Sequence, residues 1–125
     1  MSMTLCTNSR MIYIVDGDPD LSLSAKCLFE SRHAHVEICD DAAQFLNTHS
    51  LRIEDTVLLD LDPKKPSVFR LFNSLLTSQK RPNIIVTTPA NAALKPSDVF
   101  PGDRIEVLFH PIAPEALMKA VEMGQ

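Results

Sequence analysis

MIYIVDGDPDLSLSAKCLF, Met11 to Phe29, decides how this chain is read. Met11 to Val15 is a short apolar run without polar alternation, the mark of a parallel strand covered on both faces. Asp18 then stands before Pro19 as an N-cap followed by proline at the first helical position. Leu21, Ala25, Leu28 and Phe29 recur at i, i+4, i+7 and i+8, so the segment predicts a helix that lays one apolar stripe on the sheet. Asp16, Asp18 and Asp20 follow the strand at alternate positions, and whether they bind a metal depends on what the rest of the chain brings to them.

The strand and helix pattern repeats. HVEIC (His35 to Cys39), TVLL (Thr56 to Leu59), NIIV (Asn83 to Val86) and IEVLF (Ile105 to Phe109) read as four further strands. Val68, Leu71, Phe72, Leu75 and Leu76 form a second helical stripe, Asp41 with Gln44 a capping box, and Pro114, Leu117, Met118 and Val121 the inner face of a last helix. Pro89, Pro96, Pro101 and Gly102 crowd one connection, which confines the fourth helix to about Ala90 to Lys95 and makes it short or irregular. Alternating strands and helices predict an α/β fold with a parallel sheet built from crossovers.

With 125 residues, 45% of them apolar, the chain can bury one core and is too short for two ordinary domains. Residues 1–10 read as a flexible leader without a secretory signal and 11–123 as the domain, the chain ending at Gly124-Gln125 with its last helix, as at a domain boundary. Twelve Lys and Arg against 16 Asp and Glu give a net charge of -4, which supplies no electrostatic attraction for nucleic acid or a membrane surface. No apolar run approaches the ~20 residues of a membrane span. Cys6, Cys27 and Cys39 form no CxxC and are odd in number, which suits a reducing, cytoplasmic compartment. Cys27, at helical spacing, reads as a small core residue. His33, His35 and His49 lack carboxylate or cysteine partners at metal spacing and read as surface or helix-end residues.

In an open α/β sheet the functional crevice lies at the carboxyl ends of the strands, where strand order reverses. Asp16 and Asp18 follow the first strand, Asp60 ends the third, Thr87 the fourth and His110 the fifth. A flavodoxin-like order of 2-1-3-4-5 makes strands one and three neighbours and brings Asp16 close to Asp60. Asp60, preceded by TVLL and followed by Asp62-Pro63, is costly inside an apolar layer unless it faces that crevice. Asp18 has an equally simple role as the N-cap, and one of the hydroxyls of Thr87 and Thr88 is purely structural.

These stretches, YIVDGDPD, DTVLLDLDP, PNIIVTT and VLFHP, resemble in order and spacing the receiver domains of bacterial two-component response regulators, over Met11 to Glu122. The spacings are 44 residues from Asp16 to Asp60, 27 to Thr87 and 23 to His110. The resemblance implies a (βα)5 three-layer sandwich in which Asp60 accepts a phosphoryl group from a histidine kinase, a phosphotransfer protein or a small donor. It implies Mg²⁺ held by Asp16, Asp60 and the backbone carbonyl of Asp62, with Asp18 as a further carboxylate, and Thr87 as a hydrogen-bond donor to the phosphoryl oxygens. A carboxylate that attacks an anion needs a divalent cation to neutralise charge, which explains the residue types. Implied partners are the kinase, an effector domain or downstream protein, and a second copy of the chain. The resemblance also implies a signalling module, with no enzymatic role beyond its own phosphorylation and dephosphorylation.

Three positions depart from that pattern. Gly17 stands where the family has a second acid, which weakens the Mg²⁺ site. His110 replaces the family's lysine and is only partly protonated at neutral pH. Val107 occupies the aromatic switch position three residues earlier. With the proline-broken fourth helix, they support an alternative, a phosphorylation-independent pseudo-receiver that docks or dimerises. LLDLDP also resembles the opening of haloacid-dehalogenase-type phosphatases, with Asp60 as nucleophile and Asp62 as general acid. That family carries its nucleophile on the first strand, and here two strands precede Asp60. An EF-hand loop starting at Asp16 is excluded, because Leu21 and Cys27 stand where its glycine and glutamate belong.

Overall fold

The computed structural model describes residues 11–15, 19–32, 34–61, 64–79, 81–89, 105–110 and 114–123, without the side chains of residues 89, 109, 110, 114 and 120–123. The elements run β1 (Met11–Val15), α1 (Pro19–Glu30), β2 (His35–Cys39), α2 (Phe45–Thr48), β3 (Thr56–Asp60), α3 (Pro66–Leu76), β4 (Asn83–Pro89), β5 (Ile105–His110) and α4 (Pro114–Met123). The five strands form one sheet in the order β2-β1-β3-β4-β5, and every pairing is parallel. This is the flavodoxin-like order read from the sequence. The leader, Cys6, His33 and the proline-rich connection with its expected helix at Ala90 to Lys95 lie outside the described residues.

Because successive strand residues point to opposite faces, the central strands divide their apolar side chains between two cores. Tyr13, Val15, Val57, Leu59, Ile84 and Val86 face Ala42 just before α2, Phe45 of α2, and Val68, Leu71, Phe72 and Leu75 of α3. Ile12, Ile14, Leu58 and Ile85 face Ala25 and Phe29 of α1 and Leu117 of α4. Three layers follow. Strands buried on both faces must be apolar throughout, which is why β1 and β3 show almost no alternation. Each fully buried Leu, Val or Phe of these layers contributes about 1.5–3 kcal/mol relative to exposure.

α3 matches its predicted stripe: Val68, Leu71, Phe72 and Leu75 are buried, and Leu76 packs at the margin. Pro66 occupies its first turn, where a missing N–H costs nothing. α1 likewise begins at Pro19 and buries Ala25 and Phe29 together with Ser22. Cys27 corrects the sequence reading: it is exposed, because the buried stripe runs through Ser22, Ala25 and Phe29 and leaves residue 27 on the outer side. In α4, Leu117 is buried and Met118 packs against the same core.

α2 is a single turn. Of the expected capping box only one half forms, Gln44 N–H donating to Asp41 Oδ1 at 3.2 Å, while Gln44 Oε1 accepts from Asn47 Nδ2. Thr48 Oγ1 sits 3.2 Å from the carbonyls of both Gln44 and Phe45, and His49 leaves the helix in extended conformation. Short polar side chains that bond to the local backbone compete with helix propagation and end it here.

At the amino-terminal edge of the sheet, Asp55 is 1% exposed. Its Oδ1 accepts from Met11 N at 3.1 Å and Arg52 Nη2 at 3.3 Å, and its Oδ2 from Arg52 N at 2.9 Å. Its own carbonyl accepts from Asn83 N at 2.9 Å, so one residue ties the starts of β1, β3 and β4 together.

Candidate functional site

The three central strands end side by side: Val15 pairs with Leu59, and Asp60 with Thr87. β3 and β4 run further than the apolar runs suggest, β3 to Asp60 and β4 through Thr87 and Thr88 to Pro89, because the backbone ladder continues beyond the last apolar side chain. Asp60 shares the parity of Leu58 and Thr87 that of Ile85, so both stand on the sheet face covered by α1 and α4. Leu61 N–H donates to Thr87 O at 2.8 Å, which locks the two strand ends in register.

Thr87 is 1% exposed, and its Oγ1 donates to Asp60 Oδ1 at 2.9 Å. The alternative acceptor, Leu59 O, lies at 3.4 Å; a hydroxyl has one proton, and the shorter bond to a carboxylate is the stronger. The neighbouring Thr88 hydroxyl is equally buried and has no hydrogen-bond partner among the described residues. Thr87 thus bonds to the carboxylate, and Thr88, the next residue on the strand, lies on the opposite face.

Asp16, Gly17, Asp18 and Asp62 lie outside the described residues. His110 closes β5 opposite Pro89, and Val107 pairs with Val86. The face at the crevice thus has a described acceptor and donor, Asp60 and Thr87. Asp60 lies on the third strand in chain order, not on the first as in haloacid-dehalogenase-type phosphatases.

A second cluster was missed by sequence reasoning. His49 does have carboxylate and cysteine partners: its Nε2 lies 2.6 Å from Glu37 Oε2 and 4.0 Å from Cys39 Sγ, and Cys39 Sγ–H donates to Glu37 Oε2 at 3.7 Å. Among the described residues, this is the one group of three His, Cys, Asp or Glu side chains whose donor atoms converge, all within 4.8 Å. The available signal was the i, i+2 spacing of Glu37 and Cys39 on β2, which places both on one face. His49, ten residues beyond Cys39, enters only because α2 stops after one turn. Its ring stacks on Phe45 at 4.6 Å between centroids and meets Tyr13 edge-on at 5.1 Å. Burial, then the Glu37 carboxylate, pushes the Cys39 thiol up to about 12.

No protein-family model matches the sequence, and no curated protein matches it. Solved structures do. The response regulator StyR matches at TM-score 0.78 and 23% identity, over 93% of this chain and 59% of StyR. A response regulator from Colwellia psychrerythraea matches at TM-score 0.75 and 20% identity, over 94% of this chain and 98% of its own. A CheY-like receiver domain from Methylobacillus flagellatus matches at TM-score 0.70 and 19% identity, over 93% and 98%. The chain therefore has the fold of response regulator receiver domains across nearly its whole length. It spans less than two thirds of StyR. Among the described residues, no helix is long and apolar enough to cross a membrane.

Proposed function

We propose that the chain is a response-regulator receiver domain in which Asp60 accepts a phosphoryl group and Thr87 reads its presence. The observation that carries the reading is the 2.9 Å bond from Thr87 Oγ1 to Asp60 Oδ1, at the carboxyl ends of neighbouring strands in a 2-1-3-4-5 sheet. Strand-end carboxylates at that place face the crevice that open α/β sheets use for ligands. Asp60 is half-buried, so a donor can reach it while the sheet holds it in place.

An oxygen-only set fits a hard cation: Asp60, Asp16 and the Asp62 carbonyl would hold Mg²⁺, with Asp18 as a further carboxylate in place of the acid missing at Gly17. When bound, Mg²⁺ neutralises the charge of the incoming phosphoryl group. A carboxylate oxygen of Asp60 attacks phosphorus and becomes the bridging oxygen of an acyl phosphate, while the donor keeps the electron pair of the broken bond. Thr87, released from the carboxylate, donates its hydroxyl to a phosphoryl oxygen. His110 stands at the end of β5 where the family has a lysine, and carries positive charge only while protonated. Since β4 and β5 are paired along Ile84 to Pro89, a displacement of Thr87 is felt on β5, next to the surface a partner would use. A histidine kinase or phosphotransfer protein upstream, an effector downstream or a second copy of the chain, and a bacterial cytoplasm complete this reading.

Intact-mass spectrometry after incubation with Mg²⁺ and acetyl phosphate tests it. Wild type gains one phosphoryl group and Asp60→Ala gains none; beryllofluoride protects the site in wild type alone. A folded wild-type protein that gains no mass rejects phospho-acceptance and leaves the pseudo-receiver, for which Gly17, Val107 and His110 speak.

A further inference from the structure

Glu37 and Cys39 of edge strand β2, with His49 at the end of α2, stand apart from the Asp60 crevice, on the opposite face of the sheet. β1 lies between them and β3. In register, Glu37 pairs with Tyr13 and Cys39 with Val15, both of which face α2 and α3.

The arrangement is that of a ligand set. His49 Nδ1 lies 2.8 Å from Thr48 Oγ1 and 3.1 Å from the Phe45 carbonyl, two local oxygens that fix the orientation of the ring. Nε2 then faces Glu37 Oε2, 2.6 Å away. A proton or a metal cation can bridge the two atoms. In the isolated protein a proton suffices, but a half-buried thiol also converges there. Imidazole whose other nitrogen is tied to a backbone carbonyl is the usual form of a metal-bound histidine, because that bond fixes tautomer and ring orientation. Packing between Phe45 and Tyr13 holds the ring in this pose.

We infer that Glu37 Oε2, Cys39 Sγ and His49 Nε2 form a binding site for a thiolate-preferring divalent transition ion of the Zn²⁺ class. A tetrahedral ion with the usual Zn–S, Zn–N and Zn–O lengths separates sulfur from its neighbours by about 3.6 Å and nitrogen from oxygen by about 3.4 Å. The sulfur edges here, 3.7 and 4.0 Å, are close to that. The nitrogen–oxygen edge opens from 2.6 Å, and Glu37, whose side chain is 47% exposed, has the freedom to swing. One thiol, one imidazole and one carboxylate select Zn²⁺ or Co²⁺ over Mg²⁺ or Ca²⁺, whose ligands are oxygens. Three protein ligands leave a fourth position for water. The raised thiol pKa agrees with such a site: the burial and neighbouring carboxylate that disfavour a bare thiolate are offset by a bound dication. The site is independent of phosphorylation at Asp60.

Co²⁺ titration of the full chain, followed by Zn²⁺ competition, tests the assignment. Expected are one equivalent of Co²⁺, a near-ultraviolet thiolate-to-cobalt band, its loss on adding Zn²⁺, and unchanged spectra with Mg²⁺. Cys39→Ala abolishes the band, and Glu37→Gln weakens binding about tenfold or more. Because a variant could misfold, alkylation of wild type is mapped by mass spectrometry with and without Zn²⁺: Cys39 becomes protected, and exposed Cys27 does not. A folded wild-type protein without the band, a band that persists in Cys39→Ala, or protection confined to Cys6 or Cys27 overturns the site and leaves a hydrogen-bonded triad.

Discussion

Thr87→Val is the most direct probe of the crevice, since it keeps the shape of a side chain that is 1% exposed and removes only its hydroxyl. The hydroxyl bonds to a carboxylate at 2.9 Å. Hydrogen bonds to charged groups contribute about 1.5–3 kcal/mol; Asp60 is half-buried, so water replaces part of the bond and the lower end, about 1.5 kcal/mol, applies. No cavity forms, so no cavity cost adds to this. The bond is isolated by a double-mutant cycle of Thr87→Val, Asp60→Ala and both, measured by urea denaturation with unchanged m-values. The expected coupling is about 1–1.5 kcal/mol, well above the ~0.3–0.5 kcal/mol within which uncoupled sites add. Additive costs would refute the bond. In the acetyl phosphate assay Thr87→Val lowers the rate of Asp60 labelling by about tenfold, the equivalent of ~1.4 kcal/mol, whereas a structural hydroxyl leaves that rate unchanged.

Asp55→Ala strips three hydrogen bonds from a carboxylate 1% exposed and leaves Arg52 without it, so urea denaturation should show a loss of about 3 kcal/mol; a change below ~0.5 kcal/mol would mean that Asp55 does not hold the strand starts together. Alkaline titration of the metal-free protein follows from Cys39. Its thiol rises from 9.0 to about 12, so across that window the folded chain keeps a proton the unfolded chain has lost, and stability falls as pH rises. Tyr13, raised from 10.0 by burial first and then by Asp55 and Glu37, adds a fall of the same sign above its ordinary range. Cys39→Ser should flatten the slope between pH 9 and 12, and equal slopes in the two proteins would contradict the shift. Glu37→Gln, by removing the largest charge contribution to that shift, should speed alkylation of Cys39 by iodoacetamide at pH 8 while leaving exposed Cys27 unchanged.

Much of the fold was legible. The continuous apolar runs of β1 and β3, the stripe of Val68, Leu71, Phe72 and Leu75, and Pro19 and Pro66 at helix starts each record a local rule that the tertiary structure also obeys. Asp60 and Thr87 were legible for a different reason: a polar residue that closes an apolar run is expensive unless the fold gives it a crevice, so its position carries information about the far side of the sheet.

Cys27 and His49 were not legible. Periodicity left the width of the α1 stripe open, and packing chose Ser22 over residue 27 for its margin. His49 had no nearby partner in sequence and acquired two from β2 because α2 ends after one turn at Thr48, whose hydroxyl bonds to the local backbone. Local sequence determined which segments are strands and helices, and which polar residues sit at their ends, because hydrophobic period and chain stereochemistry act over a few residues. Only the tertiary structure decided that Thr87 reaches Asp60, and that Glu37, Cys39 and His49 meet. Such contacts depend on strand register and on where a short helix releases the chain, and both are settled by burial summed over the whole sheet.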